Sequence, residues 1–310
     1  MNTTPLLSIV TVTYQDLPGL DRTLRSLKNL AAVAGPDLEV VVIDGGSGPA
    51  AHEAIAEMLA TTVAGRARVR LVSEPDKGIY DAMNKGLRLT TGAHVWFLNG
   101  GDECCLASWS GLKAQFDSSQ QRMLLADYLL DTGRGQIHRK ARGGSYIWHG
   151  LPTSHQAIFY PGEQARESGY DLTYRIVGDY EFTARMIADG IPTQNWYEPV
   201  AVFHAGGVSQ ANTHLLAREA AQVQREILHS PFPRRLLSQA RHFISRNLRA
   251  FQTRHALADP VPAASPPSAL AKFSAGRAKN LAGRAAGPLL AGVSRPPQVD
   301  PQTQPPRSPQ

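Results

Sequence analysis

Cysteine is nearly absent from this chain. The two present, Cys104 and Cys105, are adjacent and cannot frame a disulfide scaffold, which fits a reducing compartment. Long apolar runs are missing too. No uncharged apolar stretch reaches the ~20 residues that span a bilayer. The start, MNTTPLLSIVTVTYQD, has neither the basic region nor the long apolar core of a secretory leader. It reads as a first strand, and the expected location is cytoplasmic. No repeat period is visible. Acids are scarce at one end: from Pro231 onward 12 Lys/Arg face 2 Asp/Glu, whereas the first 230 residues hold 20 against 24. The net charge of +6 therefore belongs to the C-terminal part. The mildly acidic front argues against a nucleic-acid-binding face there.

What is present is a regular front half. With 42% hydrophobic residues, 310 residues can bury a sizeable core, as one large α/β domain or two small ones. Residues 6–14 (LLSIVTVTY) are almost continuously apolar or Thr, as in a strand buried on both faces of a parallel sheet. A helix is expected over 17–30, with Leu20, Leu24 and Leu27 at helical spacing. Strands over 37–47, 67–78 and 93–103 then alternate with helices over 50–63 and 79–90. Four β–α alternations predict a parallel sheet covered on both faces, with ligands bound beyond the carboxyl ends of its strands. Every one of these strands ends in polar residues: Tyr14 to Asp16, Asp44, Glu74 to Asp76, and Asp102 in FLNGGDE.

The middle is less regular. Strands are expected at 123–131 and 154–161, a loop entering a helix at 174–190, a Pro-containing strand and Gly loop at 192–209, and a helix at 211–229. Three regions follow: a catalytic domain over 1–230, a basic amphipathic helix over 231–255, and a Pro/Ala-rich tail over 256–310. The helix sets Leu236, Ala240, Phe243, Ile244, Leu248 and Phe251 along one face, with six arginines and no acid. Such a segment suits an anionic membrane surface. A helix simply packed on the domain is the plainer reading.

The motifs SIVTVTYQD, VVVIDGGSGP, SEPDKGIYDAMNKGL, FLNGGDE, HQAIFY, GDYEF and GGVS, spread over residues 6 to 209, resemble glycosyltransferase family 2. The block EPDKGIYDAMNKG with FLNGGD looks like the bacterial polysaccharide-assembly branch. The resemblance implies a single Rossmann-like α/β domain of type A, a UDP- or GDP-sugar donor, a glycan or lipid-linked acceptor, and inversion at the transferred carbon. It also implies a divalent cation, Mg2+ or Mn2+. Val12 and Gln15 depart from the usual Pro and Asn of the first motif. Gly101 stands where two adjacent acids are common.

The resemblance assigns Asp102 to the metal, Asp44 and Asp76 to the nucleoside, Thr11 and Tyr14 to the base, and Lys77 and Asn84 to the same side. A Gly-Gly turn gives the Asp102 carboxylate room beside a diphosphate; its plain alternative is a solvated turn acid. For Asp44 the alternative is an N-cap of the 50–63 helix. Asp179 in VGDYEF matches the acid that deprotonates the acceptor hydroxyl; it too suits an N-cap. Glu181, two residues on, would point elsewhere on a helix. His155 and Gln156 resemble the acceptor-side segment, and His204 stands within reach of the metal or diphosphate.

Rival classes have weaker support. Gly46 to Ala51 fits G-x-G-x-x-A, but after the second strand instead of the first. No G-x-S-x-G elbow accompanies Ser154, His155 and Asp179, so a hydrolase triad is discounted. A nucleotidyltransferase wants a Gly-rich basic loop after strand one, which TYQDLPG is not. Gly101 motivates a catalytically silent nucleotide-sugar-binding protein as the alternative.

Overall fold

The front of the chain alternates as its periodicity requires. β1 (Leu7–Thr13), α1 (Leu17–Ala34), β2 (Leu38–Asp44), α2 (Pro49–Thr62), β3 (Arg68–Ser73), α3 (Ile79–Leu89) and β4 (His94–Phe97) follow in order. The computed structural model describes residues 4–116, 121–204 and 213–241. β2 and β4 both pair with β1 in parallel, and β3 extends the sheet beyond β2. The strand order reverses on either side of β1, so the crevice of an open α/β sheet falls at the carboxyl ends of β1 and β4.

Both faces of β1, β2 and β4 are buried. Leu7, Ile9, Leu38, Val40 and Val42 pack under Leu20, Leu24 and Leu27 of α1 and Ile55 and Leu59 of α2. Val10, Val41, Ile43 and Phe97 pack against Met83 and Leu87 of α3 and Phe182 and Met186. Each fully buried Leu contributes roughly 1.5–3 kcal/mol, so the spacing of α1 is explained by its buried stripe.

The back half completes the sheet by long-range pairing. β5 (Glu103–Cys104), α4 (Trp109–Phe116), β6 (Met123–Asp131), β7 (Gln136–Arg139) and β8 (Ile158–Pro161) are followed by α5 (Gly162–Ser168), α6 (Gly178–Ala188), β9 (Thr193–His204) and α7 (Thr213–Glu226). Two short 3-10 turns, Gly144–Trp148 and His155–Ala157, lie before β8. The sheet runs β3-β2-β1-β4-β8-β6-β9-β5, with β7 paired to β6. The strand expected over 93–103 is two strands. β4 stops at Phe97, and β5 crosses to pair with β9 at the far edge. The break is the Asn99–Asp102 turn, where Gly101 takes φ +102. Pro199 cannot donate to a ladder, and the β6–β9 register shifts where it sits. α4, α5 and β7 were not expected from the sequence.

Residues 232–241 are helical. The remainder of the helix expected over 231–255, the tail 256–310 and the GGVS segment 206–209 lie outside the described residues. Ser238 is buried and bonds His149 Nδ1 and Gln224 Nε2, both at 2.9 Å. Arg234 and Arg241 lie over the Trp148 ring at 5.1 and 5.8 Å. Phe232, Leu236 and Leu237 are more than half exposed.

Candidate active site

The ends of β1, β2 and β3 build one side of the crevice. Tyr14, just past β1, is 59% exposed. Its ring flanks Gly45: a β-carbon there would lie 3.2 Å from Tyr14 Cδ2 and 2.4 Å from Asp76 Oδ2. Only glycine lets the aromatic face and the carboxylate approach the strand end together. Asp76 is fixed by the Gly78 N–H at 2.8 Å. Lys77 follows with its side chain exposed and its N–H on Asp81. This loop leads into α3, whose Tyr80 ring packs where a β-carbon on Gly178 would stand. The EPDKG loop and the start of α6 are thereby brought side by side.

The Asn99–Asp102 turn forms the centre. Thr23 of α1, fully buried, donates to the Asp102 carbonyl at 2.6 Å and accepts the Gly101 N–H at 3.0 Å. Arg22 Nη1 donates to the Gly101 carbonyl at 3.2 Å. The Asp102 carboxylate is 7% exposed and takes one donor on each oxygen, Gln156 Nε2 at 2.7 Å and the His204 N–H at 3.2 Å. Burial pushes its pKa up to about 6, against the pull of these donors. Ser154 donates to the Gln156 amide oxygen and so orients the amide. Gly101 takes a φ at which a side chain is strained.

The third side is Asp179 on the first turn of α6. The cap position falls on Val177, and Asp179 Oδ1 accepts the Tyr180 N–H at 2.8 Å. Glu219 of α7 holds the turn that leads into the helix, accepting the N–H groups of Arg175, Ile176 and Val177 at 3.0, 3.0 and 3.1 Å. Burial lifts the Asp179 carboxyl to about 6. His155 Nδ1 lies 4.0 Å from Asp179 Oδ2, and burial lowers the imidazole to about 4, leaving it neutral at pH 7. Glu181 points away, as expected, and pairs with Arg185. The turn 154–157 thus sets Gln156 on Asp102 and His155 beside Asp179.

Tyr14, Asp76, Lys77, Asp102, His155, Gln156 and Asp179 thus follow one another around an arc. His204 reaches it through its backbone, while its ring bonds Glu103 at 2.8 Å and nears Asp131 at 3.6 Å. Three of the expected residues have surroundings that the sequence did not show. Thr11 is fully buried and shares the α1-facing side of β1 with Leu7 and Ile9. Asp44 is also fully buried; it binds the Ser47 N–H, the Ser47 hydroxyl and the Ser73 hydroxyl. It holds the strand ends together and caps no helix. Asn84 clamps Tyr170, donating to its carbonyl at 2.8 Å and accepting its N–H at 2.7 Å. Both ends of the amide are occupied by backbone. Arg22, Thr23, Ser47, Ser73 and Glu219 were missed. Ser73 had a signal, since it ends β3 in register with Asp44.

For a divalent cation the Asn99–Asp102 turn offers the Asp102 carboxylate. Each Asp102 oxygen keeps a lone pair beyond its single donor, and Mg2+ or Mn2+ accepts one carboxylate with waters and phosphate oxygens. The residues are compatible with such an ion, but sparse. Among the described residues no three His, Cys, Asp or Glu side chains converge on a metal position. Two surface hollows, of about 360 Å³ beside α1 and α4 and about 680 Å³ between α1 and α2, contain none of the arc residues.

An open sheet with an acid-lined crevice at its switch point defines a Rossmann-like ligand-binding domain. Comparison with known proteins sharpens this. The sequence pattern of Glycosyl transferase family 2 matches residues 8–118. An uncharacterized glycosyltransferase of Mycobacterium tuberculosis is 33% identical over 196 residues, 60% of this chain and 70% of that protein. A PGL/p-HBAD biosynthesis glycosyltransferase of Mycobacterium bovis is 27% identical over 220 residues, 66% of this chain and 79% of that protein. S. aureus TarS in complex with UDP-GlcNAc aligns with a TM-score of 0.55 at 16% identity, over 71% of this chain and 67% of that one. The mannosyltransferase PcManGT from Pyrobaculum calidifontis, in complex with GDP-Man and Mn2+, aligns with a TM-score of 0.55 at 16% identity, over 84% and 77%. These two structures attest the type-A fold. The chain belongs to glycosyltransferase family 2, and it is a glycosyltransferase.

Proposed function

We propose that this enzyme moves a sugar, with inversion, from a UDP- or GDP-sugar to a glycan or lipid-linked acceptor in polysaccharide assembly. The observation that carries the reading is that one short turn, 154–157, sets Gln156 on Asp102 and His155 beside Asp179, at the crevice where ligands of open α/β sheets bind. Tyr14 stacks on the base and Asp76 hydrogen-bonds the nucleoside, with Lys77 beside it. Asp102 would hold a divalent cation, which supplies positive charge to the departing diphosphate. The acceptor oxygen attacks the anomeric carbon while Asp179 takes its proton. The bond from that carbon to the diphosphate oxygen breaks, and its electron pair leaves with the nucleoside diphosphate. A carboxyl near 6 is ionised at pH 7 yet basic enough for this proton.

The bound sugar nucleotides of TarS and PcManGT support the donor class, and the biosynthetic relative supports an assembly role. The test is a panel of UDP-, GDP- and dTDP-sugars with purified protein, with the product anomer read by NMR. Retained configuration refutes inversion. Donor binding without hydrolysis or transfer leaves the silent binding protein.

The basic C-terminal segment is assigned to an anionic membrane surface. In its described part the usual polarity is inverted. Arg234, Ser238 and Arg241 face the domain, while Phe232, Leu236 and Leu237 face outward. Among the described residues no helix is long and apolar enough to cross a membrane. Flotation of the full chain with anionic vesicles, lost in a Phe232→Ser/Leu236→Ser/Leu237→Ser variant, is the expected result. Equal flotation of both refutes the assignment.

A further inference from the structure

Arg22 lies on α1, outside every motif that points to the site. Its guanidinium is exposed and makes one hydrogen bond, to the carbonyl of Gly101. No carboxylate among the described residues pairs with it, in contrast to Arg25 one turn on, which binds Asp21 at 2.6 Å. Its charge also reaches Asp102, where it opposes the effect of burial. The position it braces is the one where an acid is common and glycine stands here. Relative to a turn with two acids, this turn has one negative charge fewer, and a guanidinium stands beside it. A guanidinium has five N–H donors in a planar fork that matches phosphate oxygens, and only one hydrogen bond is made. Asp16, whose Oδ2 lies 3.9 Å from where a β-carbon at 101 would stand, is already engaged by the Gly19 N–H at the start of α1.

We propose that Arg22 binds the diphosphate of the donor and of the released nucleotide, taking over charge neutralisation that a second carboxylate would assign to metal. This rests on the nucleoside-diphosphate-sugar reading above. The enzyme accordingly holds a nucleoside diphosphate in the absence of divalent cations, through a fixed cation of its own. The turn itself is kept in place by Thr23, so the guanidinium has a rigid platform beside the strand end.

Calorimetric titration of the full chain with UDP, GDP and inorganic pyrophosphate, in EDTA and then with Mn2+, tests this. Wild-type protein is expected to bind UDP or GDP in EDTA. Arg22→Ala is expected to weaken that binding about tenfold to a hundredfold, the range for losing charge-assisted hydrogen bonds. It should weaken pyrophosphate in parallel, while uridine and guanosine binding stay unchanged. Arg22→Lys should retain part of the affinity, and Arg25→Ala all of it. Unaltered affinity in Arg22→Ala, an equal loss in Arg25→Ala, or wild-type binding that occurs only with Mn2+ overturns the role of Arg22 and leaves the donor reading standing. Wild-type protein that binds neither UDP nor GDP under either condition overturns both.

Discussion

The two sides of the crevice are built differently. The Tyr14, Gly45 and Asp76 side comes from three consecutive strands of one β–α–β–α–β run. The Asp102, His155, Gln156 and Asp179 side joins residues up to 77 positions apart, through β4, a 3-10 turn and α6. On the first side, exposed groups lie over a backbone that glycine brings close. On the second, a buried carboxylate, Asp102, and a half-buried one, Asp179, have raised pKa values and few donors. Binding surface is thus obtained from local topology, and reactive groups from long-range packing. Burial is what makes an acid reactive, and a short strand–loop unit cannot supply it alone.

Changes on the two sides should therefore separate affinity from rate. The largest effect is expected from Asp179→Asn: turnover falls about 10²–10⁴-fold, the usual contribution of a general base, with nucleotide affinity retained. A parallel loss of affinity in calorimetry would erase the distinction. The same group sets a pH limit. Its basic form is the carboxylate and its pKa is raised to about 6 in the free protein, so kcat/KM should climb with pH through about 6 and level off above it. A kcat/KM that stays flat down to pH 5 contradicts this. Tyr14→Ala is expected to weaken nucleotide binding by the roughly 1–3 kcal/mol of one base–aromatic stack, with kcat at saturating donor little changed. Tyr14→Phe, which keeps the ring, should bind like the wild type. Asn84→Ala has the smallest expected effect on the site. Losing both bonds to Tyr170 should cost about 1–3 kcal/mol of stability, read as a lower urea midpoint, with nucleotide affinity unchanged. Weaker nucleotide binding at full stability would restore Asn84 to the binding side.

The same difference sets how much was legible in the sequence. Apolar runs and helical leucines marked β1 through α3 to within a few residues, because each buries a face whose period shows in the chain. Strand-end acids were visible for the same reason. What each polar group does with its hydrogen bonds was not. Asp44 turned inward to two serines, Asn84 to a backbone 86 residues away, and Glu219 to the turn before Asp179. Those partners are chosen by tertiary packing. The burial of Thr11 was legible, since it has the parity of Leu7 and Ile9 on β1. β5 is two residues long and β7 is polar and exposed, so neither carries a period that could be read.

Trp148 lies beneath two guanidinium groups where the C-terminal helical segment meets the domain. An indole's emission responds to charge held near its ring. Detachment of residues 232–241 would thus register as a change in intrinsic fluorescence, with Trp148→Phe as the optical blank. The enzyme carries its own light-based reporter of whether that segment is docked, and it can be followed in turbid vesicle suspensions without any added dye.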